Sequence, residues 1–318
     1  MKKLFVLFAI IALHASVYAQ KNNYKLDIGG RIGVANYLGD IGGGDVARPF
    51  VLNMELKDTR WSMGAFARYR FHTLFAYQGA FSYVRIQGAD SESDNYARTG
   101  RNLSFRNDIL ALDNKLEFYP PQLTLSDVGK RGKYRTDFKT YLFVGISGMY
   151  HNPKAFYQGQ YVALRPLMTE GVAYSKFAIA VPFGSGFYFT YRKQHRFGFE
   201  LSAHMSFSDY LDDVSGVYID HSDPTNGEFS DPALSAALAN RNPELDYDLG
   251  EYPDPANYGV KIPGQVNPNR RGGSAAPDSY IMMSVSYSFV LKSNGGFNRS
   301  YSWIYRSKSR FGKTKARF

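Results

Sequence analysis

The 318-residue chain contains no cysteine, which excludes disulfides, thiolate catalysis and cysteine-ligated metals. Beyond the N-terminus no apolar run approaches the ~20 residues that a membrane-spanning helix needs, and the mean hydropathy is −0.35. The glycine-rich stretch Gly39-Asp40-Ile41-Gly42-Gly43-Gly44 lacks the Lys-Ser/Thr of a phosphate-binding loop and reads as a flexible turn. Charge of one sign is absent from one segment and nearly absent from another. Residues 291–318 carry eight Lys or Arg and no acid, whereas 209–254 carry twelve Asp or Glu opposed only by Arg241. A net charge of +10 divided in this way suggests two compartments or two partners and argues against nucleic acid.

What is abundant is alternation. Aromatics make up 16% of the chain and there are 30 glycines. Between Phe177 and Tyr191 the odd positions Phe177, Ile179, Val181, Phe183, Phe187 and Phe189 are large and apolar, and their neighbours are small or polar. After Arg192-Lys193-Gln194 the pattern resumes, with Phe197, Phe199, Leu201, Met205 and Phe207 against Arg196, Glu200, Ser202, His204 and Ser206. Period two over this length means a strand with one apolar face, long enough to cross a bilayer when tilted. The same pattern recurs at about 25–37, 61–72, 75–85, 108–119, 138–150 and 279–291. The expectation is all-β: an eight-stranded antiparallel transmembrane β-barrel spanning 24–291, because eight is the smallest number that closes a membrane barrel.

Met1–Ala19 has Lys2 and Lys3, an apolar run and a Val17-Tyr18-Ala19 end, the pattern of a secretory signal peptide. An N-terminus in the periplasm then places short turns after strands two and six. Longer links follow strands one, three, five and seven, as in outer-membrane barrels. The last link, 209–278, becomes a long acidic extracellular loop, irregular apart from a short helix near 231–240. A basic insertion (Lys130, Arg131, Lys133, Arg135) falls on the short-turn side. The periplasmic tail 292–318 interleaves aromatics with cations, including Trp303, Arg306, Lys308, Arg310, Lys313, Lys315 and Arg317. Both are candidate partner-binding surfaces.

The inferred inward residues include Asp27, Arg31, Arg68, Arg70, Asp113, Lys115, Glu117, Arg196 and Glu200. Such charges are expected to pair into a plug, because an unpaired buried ion costs several kcal/mol; a narrow polar pore is the alternative. His204 and Ser206 form a His-x-Ser pair similar to that of lipid A deacylases, yet the alternation turns both inward, which favours a luminal hydrogen-bond network. Asp209, Asp212, Asp213 and Asp220 offer oxygen ligands for calcium, but read more simply as solvated surface charge. No catalytic, cofactor or metal site is assigned.

Gly33-Val34-Ala35-Asn36-Tyr37-Leu38-Gly39-Asp40-Ile41 resembles the strand-one signature G-x-x-x-Y-x-G-D-[IL] of PorG-like outer-membrane barrels of the type IX secretion system in Bacteroidota. Phe207-Ser208-Asp209-Tyr210-Leu211-Asp212-Asp213-Val214-Ser215-Gly216 resembles the end of that family's seventh strand, and Leu112–Phe118 its fourth. The chain departs in its longer last loop and its aromatic-basic tail. The resemblance implies a non-catalytic component of the outer membrane that binds its lipids and docks a periplasmic ring of PorK-like lipoprotein and PorN-like protein. The motif positions Gly33, Tyr37, Gly39, Asp40, Asp209, Tyr210 and Asp212 are carried over with it. The alternatives are an OmpA- or OmpW-like envelope adaptor or conduit, and an outer-membrane enzyme of the lipid A deacylase type.

Overall fold

A sheet whose strands carry apolar side chains on one face and charges on the other satisfies both faces, and loses its open edges, by closing on itself. The computed structural model describes residues 26–42, 56–72, 74–93, 96–120, 137–192, 194–221, 229–245, 270–273 and 277–291. Eight long strands form the closed wall: β1 (Leu26–Leu38), β2 (Arg60–Tyr69), β3 (Phe75–Ala89), β4 (Ser104–Phe118), β5 (Asp137–Tyr150), β8 (Phe177–Tyr191), β9 (His195–Ser206) and β10 (Ser279–Leu291). Each pairs antiparallel with its neighbour in that order, and β10 closes on β1 from Leu26↔Leu291 to Leu38↔Ser279. β6 (Lys154–Tyr157) and β7 (Gln160–Ala163) form a side hairpin above β4.

The register fixes the shape. A path that leaves β1 at Leu26 and follows paired residues across every strand returns to β1 at Asn36, ten residues further on. Ten residues of stagger over eight strands tilts them by about 40° at ordinary strand spacings and leaves an interior that side chains can fill.

The two faces separate as the alternation predicts. Ile32 and Ile146 are each 64% exposed on the outer wall and Phe177 is 73% exposed, whereas all nine inward charged residues are buried. The lumen has three tiers. At the end where β2 meets β3 and β8 meets β9 (the turn end), Tyr119, Tyr141, Phe143 and Tyr188 cluster, with Arg70 over the Tyr119 ring at 4.3 Å. In the middle, ion pairs span the barrel. Arg31 reaches Asp113 at 2.7 Å and Glu200 at 3.1 Å, and Lys115 reaches Glu200 at 2.7 Å. Arg68 reaches Glu117 at 2.8 Å and Asp27 at 3.4 Å, and Arg196 also pairs with Asp27. Four cations thus meet four anions, which realises the expected plug. Towards the other, loop end the interior turns apolar around Ile86, Phe105, Ile109, Met149 and Met282.

Two features differ from the sequence reading. β3 and β4 run past Arg85 and Asp108 to Ala89 and Ser104, because the ladder continues through Gln87↔Arg106 after the outward residues have become charged. The hairpin of β6 and β7 was not expected. It turns at Gln158 and Gly159, both in the left-handed region (φ 47° and 83°), the backbone of a tight hairpin turn.

Because the ion pairs are desolvated, removing one partner leaves an uncompensated charge. Arg31→Ala is expected to destabilise the barrel by about 3–5 kcal/mol, read as a lower urea midpoint for loss of the heat-modifiable folded band. Surface Lys154→Ala is expected to have little effect.

Candidate functional site at the loop end

The strand-one and strand-seven motifs, far apart in sequence, meet at the loop end. β1 ends by turning Tyr37 inward, and its hydroxyl lies 2.7 Å from Asp212 Oδ2 and 2.6 Å from Asp278 Oδ1. The Asp40 backbone N–H donates to the same oxygen at 3.1 Å. Gly39 is required beside it, since a Cβ there would stand 1.9 Å from the Tyr37 hydroxyl and 2.3 Å from Asp278 Oδ1. Gly33 permits close strand approach, because a Cβ would meet Met283 O at 2.1 Å.

The segment after β9 does not stand in solvent as an acidic loop. It folds into the mouth, burying Leu211 and Val214 in the apolar tier. Asp212 and Asp213 are 0% and 1% exposed, which corrects the reading of these carboxylates as solvated charge. Burial became possible because donors surround them. Val214 N–H donates to Asp212 Oδ1 at 2.9 Å, and Leu211 N–H donates to Asp278 Oδ2 at 2.8 Å. Asp213, in the left-handed region at φ 74°, accepts from Thr169 at 2.5 Å and Tyr174 at 2.6 Å. The Tyr174 ring stacks on Tyr210 at 4.7 Å between centroids. Asp209 sits half-buried at the rim.

Two arginines that carried no sequence signal tie this cap together. Arg271 donates to Glu170 Oε1 at 3.0 Å, to the Asp213 carbonyl at 2.7 Å and to the Ala239 carbonyl at 3.1 Å. Glu170 in turn accepts from the Ser215 and Gly216 N–H groups. Arg101, at the end of α1 (Tyr96–Arg101), forks onto Asp90 at 2.7 and 2.8 Å and donates to the Asp40 carbonyl at 2.7 Å. Asp40 Oδ2 accepts from Gly273 N–H at 2.6 Å, so the Gly39–Gly42 turn, expected to be flexible, is pinned. The expected helix is present as α2 (Pro232–Ala239), capped by Asp231 accepting from Leu234 N–H; it buries Leu238 against the apolar tier.

The chemistry of the cluster is proton sharing. A phenol has one proton and can donate to one carboxylate only, so the second carboxylate at hydrogen-bond distance must carry a proton of its own. The electrostatics agree. Burial holds both Asp212 and Asp278 well above the usual carboxylate range; at Asp212 the charges of Asp278 and Asp40 add to it, and at Asp278 burial outweighs the hydrogen bonds from Tyr37 and Leu211. Burial also raises Asp213 to about 6 against the opposing effect of Arg271, and Asp209 to about 6.

His204 and Ser206 do lie in the lumen, each 1% exposed. His204 stacks on Tyr280 at 4.6 Å with Nε2 3.6 Å from Asp113, and Ser206 Oγ accepts from Ser208 N–H. Neither side chain opens to the outer wall. Among the described residues no group of three or more His, Asp or Glu is placed to hold a metal ion. The basic insertion (Lys130, Arg131, Lys133, Arg135) and the tail from Trp303 to Arg317 lie outside the described residues.

A closed antiparallel barrel of eight strands, apolar outside, ion-paired within and capped by its own loops at one mouth, is a β-barrel of the outer-membrane class. Within that class the chain belongs to the family described as "Domain of unknown function (DUF6089)", whose model matches residues 2–231. No curated protein matches it. Among solved structures it is similar to the N-terminal β-barrel domain of Pseudomonas aeruginosa OprF, at 6% identity over 84% of this chain and 98% of that one, with a TM-score of 0.32. It is likewise similar to Neisserial surface protein A, at 6% identity over 84% and 97% with a TM-score of 0.33. Ail, the attachment invasion locus protein of Yersinia pestis, follows at 7% identity over 84% and 99% with a TM-score of 0.30. The barrel assignment rests on the strand pairing above.

An aspartate that ionises near ~3.9 in the unfolded chain but at about 6 in the cap, as Asp213 does, stabilises the fold below ~4 and loses that contribution as pH rises through about 6. Hydrogen exchange in 209–216, corrected for intrinsic rates, is therefore expected to be slower at pH 5 than at pH 8, and the Asp212→Asn/Asp213→Asn variant to flatten the difference. Tyr37→Phe, which removes the hydroxyl shared by two buried carboxylates, is expected to cost about 1–3 kcal/mol, measured as a lower midpoint of thermal unfolding in detergent.

Proposed function

We propose that the chain is a non-catalytic barrel of the outer membrane, with its loop end outside the cell and its turn end in the periplasm. Its role is to anchor a periplasmic ring of PorK-like and PorN-like proteins in a type IX secretion machinery. The observation that carries this reading is topological. β4 and β5 open to residues 119–136 at the turn end, and β10 delivers 292–318 to that same end. The two basic segments therefore leave the barrel on one side, where a shared partner with acidic surface can meet both. The rest of the molecule suits an anchor. Its lumen is closed by ion pairs and its outer mouth by the cap, so little is left for the barrel to conduct. The luminal position of His204 and Ser206 favours a non-catalytic barrel over a lipid A deacylase-type enzyme.

The strand-one and strand-seven motifs that resemble PorG-like barrels support the same reading, since they build one structure, the Tyr37–Asp212–Asp278 cap. The test is affinity capture from detergent-solubilised membranes. Intact protein is expected to bring down a PorK-like lipoprotein, and deletion of 292–318 to reduce that recovery while the barrel still inserts. Unchanged recovery would remove the tail as the contact. A planar-bilayer recording is expected to show no steady conductance, which separates an anchor from an OmpW-like conduit.

A further inference from the structure

On the outer wall the apolar belt ends differently on different strands. On β5 and β8 it reaches the loop end as Tyr150 and Phe177, and just past the end of β9 as Phe207, all exposed. On β3 and β4 it stops at one rung, where Arg85 faces Asp108. The outward series on β3 begins at Phe75 and meets Arg85 ten residues later. At ~3.3 Å per residue and a tilt of about 40° that is roughly 25 Å, the height of the apolar band of a membrane barrel. Arg85 therefore stands at the level where acyl chains give way to headgroups.

Cations gather on that rung and the next. Arg85 Nε donates to Asp108 Oδ1 at 2.6 Å, and Arg106 Nη2 lies 3.6 Å from the other oxygen of the same carboxylate. Arg60 Nε donates to Gln87 Oε1 at 2.8 Å, and Lys154 pairs directly across from Arg106. Arg85 and Arg106 thus share the single carboxylate of Asp108, and Lys154 stands beside Arg106 on the same outward face. Aromatic rings hold two of the guanidinium groups in place: Arg106 lies over Tyr161 at 4.0 Å, and Arg85 over Trp61 at 5.6 Å. Trp61 stacks on Tyr83 at 4.8 Å, the pairing of amphipathic rings expected at a membrane interface. Directly below, Met63, Phe81 and Tyr83 form the near wall of an apolar trough in the outer surface.

We propose that this face of β2, β3, β4 and the β6–β7 hairpin is a binding site for a phosphorylated glycolipid of the outer leaflet. Its phosphate is held by Arg85 and Arg106 with Arg60 and Lys154, and its acyl chains lie along Met63 and Phe81. Planar guanidinium forks match phosphate oxygens in paired hydrogen bonds. Charge complementarity selects an anionic headgroup, and the apolar wall below selects a lipid over a soluble anion. The inference rests on the outer-membrane placement proposed above.

The test uses the full chain, first located by density-gradient fractionation of membranes and then purified in a zwitterionic detergent. The probes are lipid A 1,4′-bisphosphate, the same lipid with its phosphates removed, and inorganic pyrophosphate. Retention by native mass spectrometry is expected to favour the bisphosphate about tenfold over the dephosphorylated lipid, with pyrophosphate retained least. The Arg60→Gln/Arg85→Gln/Arg106→Gln variant is expected to lose the preference while keeping its heat-modifiable band. If that variant does not fold, Arg106→Gln alone is expected to weaken the preference. Equal retention of both lipids, an unchanged preference in folded variants, or pyrophosphate retained as well as the lipid would each overturn the site. Fractionation away from the outer membrane would instead overturn the placement, so the two failures are distinguishable.

Discussion

An eight-stranded wall tilted by about 40° encloses a lumen narrow enough for side chains to fill and lined with charge, and everything else in this molecule follows from how that lumen is filled. Arg31 is the centre of the solution. It joins Asp113 on β4 to Glu200 on β9 across the barrel and donates to Ser82 on β3 at 2.6 Å. Each neighbouring cation and anion then has a defined partner, so four positive and four negative groups cancel in the middle tier. A buried network of this kind is no guarantee of high stability, since desolvation offsets much of the attraction. What it does supply is register: a shift of one residue on β1, β2, β4 or β9 would turn charges towards the outer wall.

Above the charged tier the same constraint recurs in another form. The mouth is sealed by apolar residues of the long last link, Leu211 and Val214, carried in on a segment whose own carboxylates must then be buried. Tyr37, Thr169, Tyr174 and Arg271 supply the donors that make this tolerable, and shared protons supply the rest. The cap and the plug together leave the two ends and the outer wall as the surfaces on which function can act. The turn end is where the basic segments leave the barrel. The outer wall is where a cationic and aromatic rung interrupts the apolar belt.

The positions of all eight wall strands were legible from alternation alone, and so were the nine inward charges, because side-chain direction along a strand is a local property with period two. Where alternation stops, legibility stops. The extensions of β3 and β4 carry Arg85, Gln87, Arg106 and Asp108 outward, so pairing persists there after the apolar signal has ended. The β6–β7 hairpin is too short to show a period. The buried state of Asp212 and Asp213 was invisible because it depends on partners as distant as Arg271.

The amino-acid order by itself determined which residues face the outer wall, which face the lumen and how many long strands there are to close the wall, since alternation is set by neighbours one or two residues apart. Only the tertiary structure decided the stagger of the barrel, the pairing of each luminal charge and the meeting of Tyr37 with Asp212 and Asp278, contacts that span 175 and 241 positions of the chain. Contacts so distant are chosen by which registers bury every charge beside a counter-charge or a donor, a condition on the closed barrel as a whole that no single stretch of sequence expresses.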